Sequence, residues 1–185
     1  RPSTGYDLDT MTQDLEGLVA SLGPEPVTLI GHSYGALIAL SFALKFPEKC
    51  ARLVLVEAPL PPSELAEMSA FMNASTDDMV AALPEELRGM LNAGGRRAKR
   101  FLDGLYFLTQ ESTLLEDLRN TGDMSDHDLA QIQCPVLCLY GEQSSCRDVG
   151  ERLARVIPDA RLEILPGGHF LPVEAAADVT RAIEE

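Results

Sequence analysis

The chain of 185 residues is long enough for one domain with a sizeable core, and 45% of its residues are hydrophobic. Acidic residues outnumber basic residues by 29 to 15, which gives a formal net charge of −14. A field of that sign repels a phosphate backbone, so we expect no nucleic-acid partner. The apolar runs are shorter than the ~18 residues of a membrane-spanning helix, so we expect no membrane partner either.

The four cysteines indicate a reducing environment rather than a metal site. Cys50, Cys134, Cys138 and Cys146 lack metal-ligand spacing, so we expect neither a metal nor a cofactor. Cys134 and Cys138 bracket an apolar run, which favours buried free thiols. Together with a first segment that lacks a signal-peptide pattern, this predicts a cytoplasmic location.

The first elements along the chain are a helix, a strand and a second helix. Asp7 to Leu22 carries apolar residues at helical spacing, and Val27 to Ile30 is a short β-branched run that predicts a fully buried strand. Ala36 to Phe46 is rich in helix formers. Between strand and helix, the segment from Gly31 to Gly35 must turn the chain sharply.

Ser33 lies at the tip of this turn, in the sequence Gly31-His32-Ser33-Tyr34-Gly35. Small residues two positions before and two after it are expected to let strand and helix approach closely. A side chain held clear of the sheet in a strained turn is a candidate nucleophile.

After one long helical stretch, the rest of the chain again alternates between predicted strands and helices. Residues 60–126 show helical stripes without a strand pattern, which predicts an all-helical insertion. Three more buried strands and two helices are predicted, in chain order, at Ala51–Val56, Pro135–Tyr140, Val149–Val156 (helix), Ala160–Leu165 and Val173–Ile183 (helix).

This alternation predicts the α/β class, with a parallel sheet flanked by helices on both faces. Residues 1–59 and 127–185 would form the core, and residues 60–126 a cap. Ligands of such sheets bind beyond the carboxyl ends of the strands. Ser33, Glu57, the stretch 141–145 and His169 each follow a strand, so we expect them to converge on one edge.

A serine hydroxyl needs a base within hydrogen-bond reach before it becomes a useful nucleophile. His169 follows the last strand and two glycines, which favours it as that base over a structural role. His32 lies inside the tight turn and is expected to pack or bond locally. His127 is flanked by polar residues and is expected to be solvated.

The G-x-S-x-G turn, the strand "CPVLCLYGE" and the segment "GGHFLPVE" together resemble the α/β-hydrolase family. The resemblance implies a mostly parallel sheet and a chain order of nucleophile, acid and histidine. It also implies that the helical insertion is a cap that shapes a substrate pocket. Ser33 and His169 would then be the nucleophile and general base of a serine hydrolase.

The acid departs from the family's usual pattern. The family usually carries an aspartate three residues after the glycine of the strand before the last one, and this chain has Ser144 there. A minority of the family places the acid directly after the strand that follows the turn, and Glu57 occupies that place. Glu57 is therefore the favoured acid, with Asp148 as the alternative and an arrangement without an acid as the third possibility.

The resemblance also implies an incomplete oxyanion hole. The backbone N–H of Tyr34 would be one donor to the oxyanion. In the family the second donor comes from a loop that lies before the segment corresponding to this chain. We therefore expect the chain to be the carboxyl-terminal part of a hydrolase that is completed by a preceding segment or another chain. Alone, it is expected to be inactive and to expose an edge of its sheet.

A serine nucleophile indicates acyl chemistry on a small-molecule ester, thioester, lactone or activated ketone. The basic cluster of Arg96, Arg97, Lys99 and Arg100 is either a solvated helix start or a docking patch for a carrier-protein or coenzyme A thioester. A ligand-binding relative with little turnover is the rival hypothesis. The expected cap pocket is apolar and contains Met68, Phe71, Met72, Met79, Met90, Phe101, Tyr106 and Phe107.

Overall fold

The computed structural model describes residues 2–185, apart from the side chain of Thr76, and contains one four-stranded parallel sheet. Its strands are β1 (Val27–His32), β2 (Cys50–Val56), β3 (Val136–Gly141) and β4 (Ala160–Leu165), which lie side by side in chain order. The predicted parallel sheet is confirmed, and each strand begins and ends within two residues of its predicted bounds.

Helices fill the connections between the strands. Those that lie wholly or mostly outside residues 60–126 are α1 (Leu8–Leu22), α2 (Tyr34–Lys45), α8 (Asp126–Leu129), α9 (Arg147–Val156), α10 (Leu171–Glu174) and α11 (Ala176–Glu184), with a 3-10 turn at Pro47–Lys49. Those of the predicted cap are α3 (Ser63–Met72), α4 (Thr76–Ala81), α5 (Glu85–Asn92), α6 (Gly95–Gln110) and α7 (Leu114–Asn120). None of the described helices is both long and apolar enough to cross a membrane.

The division into core and cap stays a prediction, and residue 1 of the predicted core lies outside the described residues. Within the described part, residues 60–126 contain helices and no strand, as the apolar pattern predicts. Their helices begin where local chemistry favours it. At α4, for example, the Ser75 side chain caps the first turn by accepting a hydrogen bond from the Asp78 N–H.

Successive side chains of β2 and β3 pack alternately into two apolar layers, one on each face of the sheet. Leu53 and Leu55 pack with α2 and α9 on one face, whereas Val54 and Val56 pack with α11 on the other. Because successive side chains of a strand point to opposite faces, a run without alternation is buried on both sides. The two layers fix the sheet in place, and with it the loops at the carboxyl ends of the strands.

The prediction that β1 is fully buried is wrong. β1 is the edge of the described sheet, and the side chain of Ile30 is 56% exposed. Ile30 pairs with Val54, on the face that α11 covers at β2, β3 and β4. An apolar side chain at the edge can stay accessible because no described helix extends over it. That a preceding segment or another chain pairs with this edge stays a prediction.

Candidate active site

The nucleophile candidate sits in a sharp turn between β1 and α2. Ser33 has φ 54° and ψ −128°, a left-handed conformation that is strained for a residue with a Cβ atom. Its backbone N–H donates to the Val56 carbonyl at 2.9 Å, which continues the hydrogen bonding between β1 and β2. The ordered sheet therefore holds the turn in its strained form and keeps the Ser33 side chain at the edge.

The two glycines of the turn have different importance. A Cβ atom at Gly31 would lie 2.4 Å from the Gly35 carbonyl oxygen, so a larger residue cannot fit without moving backbone. A Cβ atom at Gly35 would meet nothing within 4 Å. The predicted requirement for a small residue therefore holds at Gly31, and packing does not impose it at Gly35.

The structure brings His169, Ser33 and Glu57 together. His169 follows β4, and its Nε2 atom lies 2.9 Å from Ser33 Oγ. Its Nδ1 atom lies 3.3 Å from Glu57 Oε2. Asp148, the alternative acid, is exposed in the first turn of α9, and among the described residues the ion pair of His169 is with Glu57 instead.

Glu57 is fully buried, and both of its oxygens accept hydrogen bonds from the loop that follows β3. The Gly141 N–H donates to Oε1 at 2.6 Å, and the Ser144 hydroxyl donates to Oε2. A buried carboxylate needs such donors because it has lost its hydration. Sequence reasoning missed this role of Ser144, although the residue stands where the family usually carries its aspartate.

His32 supports the loop that carries the base. Its Nε2–H group donates to the His169 carbonyl oxygen at 2.7 Å, and the two rings lie 5.2 Å apart. Burial lowers the pKa of His32, so the ring stays neutral at pH 7. The predicted local bond is in fact a contact between β1 and the loop after β4. His127 is exposed in α8, as expected.

Tyr34 contributes its backbone at the site and its side chain elsewhere. Its N–H belongs to the first turn of α2, where amide groups lack a partner within the helix, and its role as an oxyanion donor stays a prediction. Its hydroxyl donates to the Tyr6 carbonyl at 2.7 Å, and burial raises the pKa of this phenol well above its usual value. The side chain therefore anchors the start of α2 to the segment before α1.

A cavity of about 550 Å³ opens beside Ser33 and His169, beneath the helices of residues 60–126. Of the apolar residues expected there, Met68, Phe71, Met72, Met79 and Phe101 line it. Met90, Tyr106 and Phe107 do not belong to its described lining. Helical geometry explains why Tyr106 and Phe107 of α6 are absent from the lining, since only residues about one turn apart share a face of a helix. Phe101 and Leu105 face the cavity, and Tyr106 and Phe107 border a separate surface depression.

The basic cluster lies at the exposed start of α6. Arg96, Arg97 and Arg100 are exposed, and Lys99 pairs with Asp103 at 2.6 Å, one turn along the helix. Exposure and an i,i+4 ion pair are typical of a solvated helix surface. That the cluster docks a carrier-protein or coenzyme A thioester stays a prediction.

Glu57, Cys146 and His169 are the described residues that could together hold a metal ion, with ligand atoms within 4.8 Å of one another. Burial, helped by the nearby Glu57 carboxylate, raises the pKa of the Cys146 thiol to about 11. The thiol is therefore protonated at pH 7, and a protonated thiol is a poor ligand. Ser33, His169 and Glu57 are instead joined in series by the contacts of the two His169 ring nitrogens.

The sequence model of the Alpha/beta hydrolase family matches residues 1–182. The chain belongs to the α/β-hydrolase family. Its relatives include the 2-hydroxy-6-oxononadienedioate/2-hydroxy-6-oxononatrienedioate hydrolase of Burkholderia vietnamiensis, 28% identical over 206 residues, an alignment that covers 98% of this chain and 69% of that protein.

Solved structures of other proteins have the same fold as this α/β-hydrolase. A hydrolase from Pseudomonas aeruginosa has a TM-score of 0.74 at 23% identity, covering 98% of this chain and 72% of that one. An esterase from Exiguobacterium antarcticum has a TM-score of 0.70 at 23% identity, covering 99% and 74%. At these identities the likeness shows the fold alone.

The turn of this α/β-hydrolase yields a stability prediction with a matched control. Gly31→Ala should lower the free energy of unfolding by about 2–4 kcal/mol, because the new Cβ atom overlaps the backbone of α2. Gly35→Ala should leave it unchanged or raise it by up to about 1 kcal/mol, because the site is open and helical. Urea unfolding of both variants checks this, and equal losses would contradict it.

Proposed function

We propose that this α/β-hydrolase is a serine hydrolase that cleaves a carboxylic ester through an acyl-enzyme on Ser33. The observation that carries the proposal is the 2.9 Å separation of Ser33 Oγ and His169 Nε2, on a strained turn at the carboxyl edge of the sheet. That distance lies within the reach needed for proton transfer from a nucleophile to its base.

In the first half-reaction, Ser33 Oγ attacks the ester carbonyl carbon while His169 Nε2 takes the hydroxyl proton. The imidazolium formed is stabilised by Glu57 at Nδ1, and the developing oxyanion by the Tyr34 N–H. His169 then gives its proton to the departing alkoxide, the bond between the carbonyl carbon and that oxygen breaks, and the alcohol leaves. The acyl group remains on Ser33.

In the second half-reaction, water attacks the acyl carbon while His169 Nε2 takes one of its protons. Collapse of the second tetrahedral intermediate breaks the bond to Ser33 Oγ, which recovers its proton from His169. The carboxylic acid leaves, and the site returns to its starting state. Glu57 keeps its charge throughout, so the same carboxylate serves both steps.

The cavity lining favours an acyl group that is apolar and uncharged. Met68, Phe71 and Phe101 are typical of a pocket for hydrocarbon. The charged members of its described lining are carboxylates, Glu64 and Glu67, and no lysine or arginine is among them. Burial raises the pKa of the nearby Cys146 thiol, and the negative fields of both carboxylates add to that rise.

The negative charge of the cavity lining is unfavourable for the substrate named for one relative. The name of the Burkholderia protein specifies a dioate, which carries two negative charges. A cavity with carboxylates and no described cation would repel such a substrate. We therefore propose an ester with an apolar, neutral acyl group as the substrate class, in preference to a dioate.

The covalent step is tested by labelling. A fluorophosphonate probe should label the wild-type protein when it is assembled with the preceding segment or partner chain expected to complete the oxyanion hole. It should leave Ser33→Ala unlabelled, because the probe forms its bond at an activated serine oxygen. Ser41→Ala, which alters a buried serine on α2, is the control and should keep its label. A folded and assembled wild-type protein that resists labelling would favour the rival ligand-binding function.

The acid is tested by a pair of isosteric substitutions. Glu57→Gln should lower kcat by about 10³- to 10⁴-fold, because it removes the charge that stabilises the imidazolium. Asp148→Asn should leave kcat within about twofold, because Asp148 is exposed and the described ion pair of His169 is with Glu57. Steady-state kinetics on one activated ester compares the two. A crippled Asp148→Asn beside a mild Glu57→Gln would reverse the assignment.

The substrate class is tested with two 4-nitrophenyl esters of similar size, the butyrate and the negatively charged succinate monoester. Wild-type protein should hydrolyse the butyrate with a kcat/KM about tenfold higher or more, which corresponds to roughly 1.4 kcal/mol. The double variant Glu64→Gln/Glu67→Gln should narrow this ratio by raising the rate for the succinate ester. A preference for the charged ester in the wild type would refute the proposed class.

A further inference from the structure

Glu57 reaches His169 as the end of a long, flexible side chain, so something must hold its carboxylate in place. One oxygen, Oε1, is fixed by the Gly141 N–H at 2.6 Å, at the end of β3. The other, Oε2, faces His169 Nδ1 at 3.3 Å and also accepts from the Ser144 hydroxyl. The Ser144 hydroxyl thus donates its hydrogen bond to the same Glu57 oxygen that faces His169.

The orientation of the Ser144 hydroxyl is itself fixed. Its oxygen accepts the Cys146 N–H at 3.0 Å, and the Ser144 N–H donates to the Gly141 carbonyl at 3.1 Å. With a lone pair of Oγ occupied by that amide, the O–H group is left to point at Glu57. The hydrogen bonds of the turn at residues 141–146 therefore orient the Ser144 hydroxyl toward Glu57 Oε2.

We infer that Ser144 is a positioning residue, which acts by holding Glu57 against His169 and has no contact of its own with the reacting atoms. This inference rests on the proposed function, because it matters only if Glu57 orients the base. Without the hydroxyl, a carboxylate with 0% exposure loses a donor at the oxygen that His169 uses. The side chain is then free to turn Oε2 away, and the imidazolium formed during reaction loses its counter-charge.

A double-mutant cycle separates this role from a merely structural one. Ser144→Ala should lower kcat about tenfold to hundredfold with KM unchanged, the effect of losing a hydrogen bond to a charged group. In a Glu57→Gln background the same substitution should change kcat by less than about twofold, because no charge remains to be held. Ser144→Thr, which keeps a hydroxyl, should recover most of the rate.

The matched control is Gln143→Ala, an exposed neighbour on the same turn, which should leave kcat unchanged. Equal losses from Ser144→Ala in both backgrounds would overturn the inference and indicate general damage to the loop. Should Ser144→Ala fail to fold, Ser144→Cys, which replaces the hydroxyl by a weak donor, takes its place in the same cycle.

The outcomes also distinguish this inference from the proposed function. A mild effect of Glu57→Gln itself would remove the assigned acid, and the role of Ser144 with it. A severe effect of Glu57→Gln beside a silent Ser144→Ala would leave the acid in place and overturn the inference alone. The NMR chemical shift of the His169 Nδ1–H proton gives a second readout: it should move upfield in Ser144→Ala, because the hydrogen bond to Glu57 is weakened, and stay near the wild-type value in Ser144→Thr.

Discussion

The candidate site depends on satisfying one buried carboxylate. Glu57 has no exposed surface, and removing a charge from water without partners costs several kcal/mol. Its partners come from Gly141 at the end of β3, Ser144 in the loop beyond it, and His169 in the loop after β4. One side chain thus joins three segments that are distant in the sequence, and the sheet edge is ordered around it.

Backbone strain accompanies this arrangement at two neighbouring positions. Ser33 and Glu57 both have φ 54°, and they are the two described non-glycine residues with positive φ. Each N–H donates to the adjacent strand, from Ser33 to Val56 and from Glu57 to Leu139, at 2.9 Å. Hydrogen bonds that extend the sheet therefore offset the cost of two left-handed residues, and strain of this kind concentrates where side chains must be aimed.

Much of the fold could be predicted from the sequence because apolar runs and helical stripes are local signals. The four strands fell within two residues of their predicted bounds, and the carboxyl-edge rule predicted that Ser33, Glu57 and His169 would meet. The exposure of β1 could not be predicted this way. An apolar run has the same pattern whether a helix covers both of its faces or leaves one open, as at Ile30.

The cavity and the support of Glu57 were harder to predict for the same physical reason. A stripe of large apolar residues on α6 does not say which of its faces meets the core, and Phe101 faces the cavity while Tyr106 does not. Likewise, a serine after a strand is an ordinary turn residue until its partner is known. The signal that pointed to Ser144 was negative, since a hydroxyl stood where a carboxylate was expected.

The register of the sheet explains how Glu57, after β2, and Ser144, after β3, come into contact. Val56 and Leu139 are partners across β2 and β3, and neighbouring strands lie ~4.8 Å apart. The residue that follows β2 and the loop that follows β3 therefore reach the same point beside His169. A long glutamate on one strand and a short hydroxyl on the other fill that space together, whereas two ionised carboxylates there would repel each other. The Ser144 hydroxyl occupies that space as a donor to Glu57 rather than as a second charge.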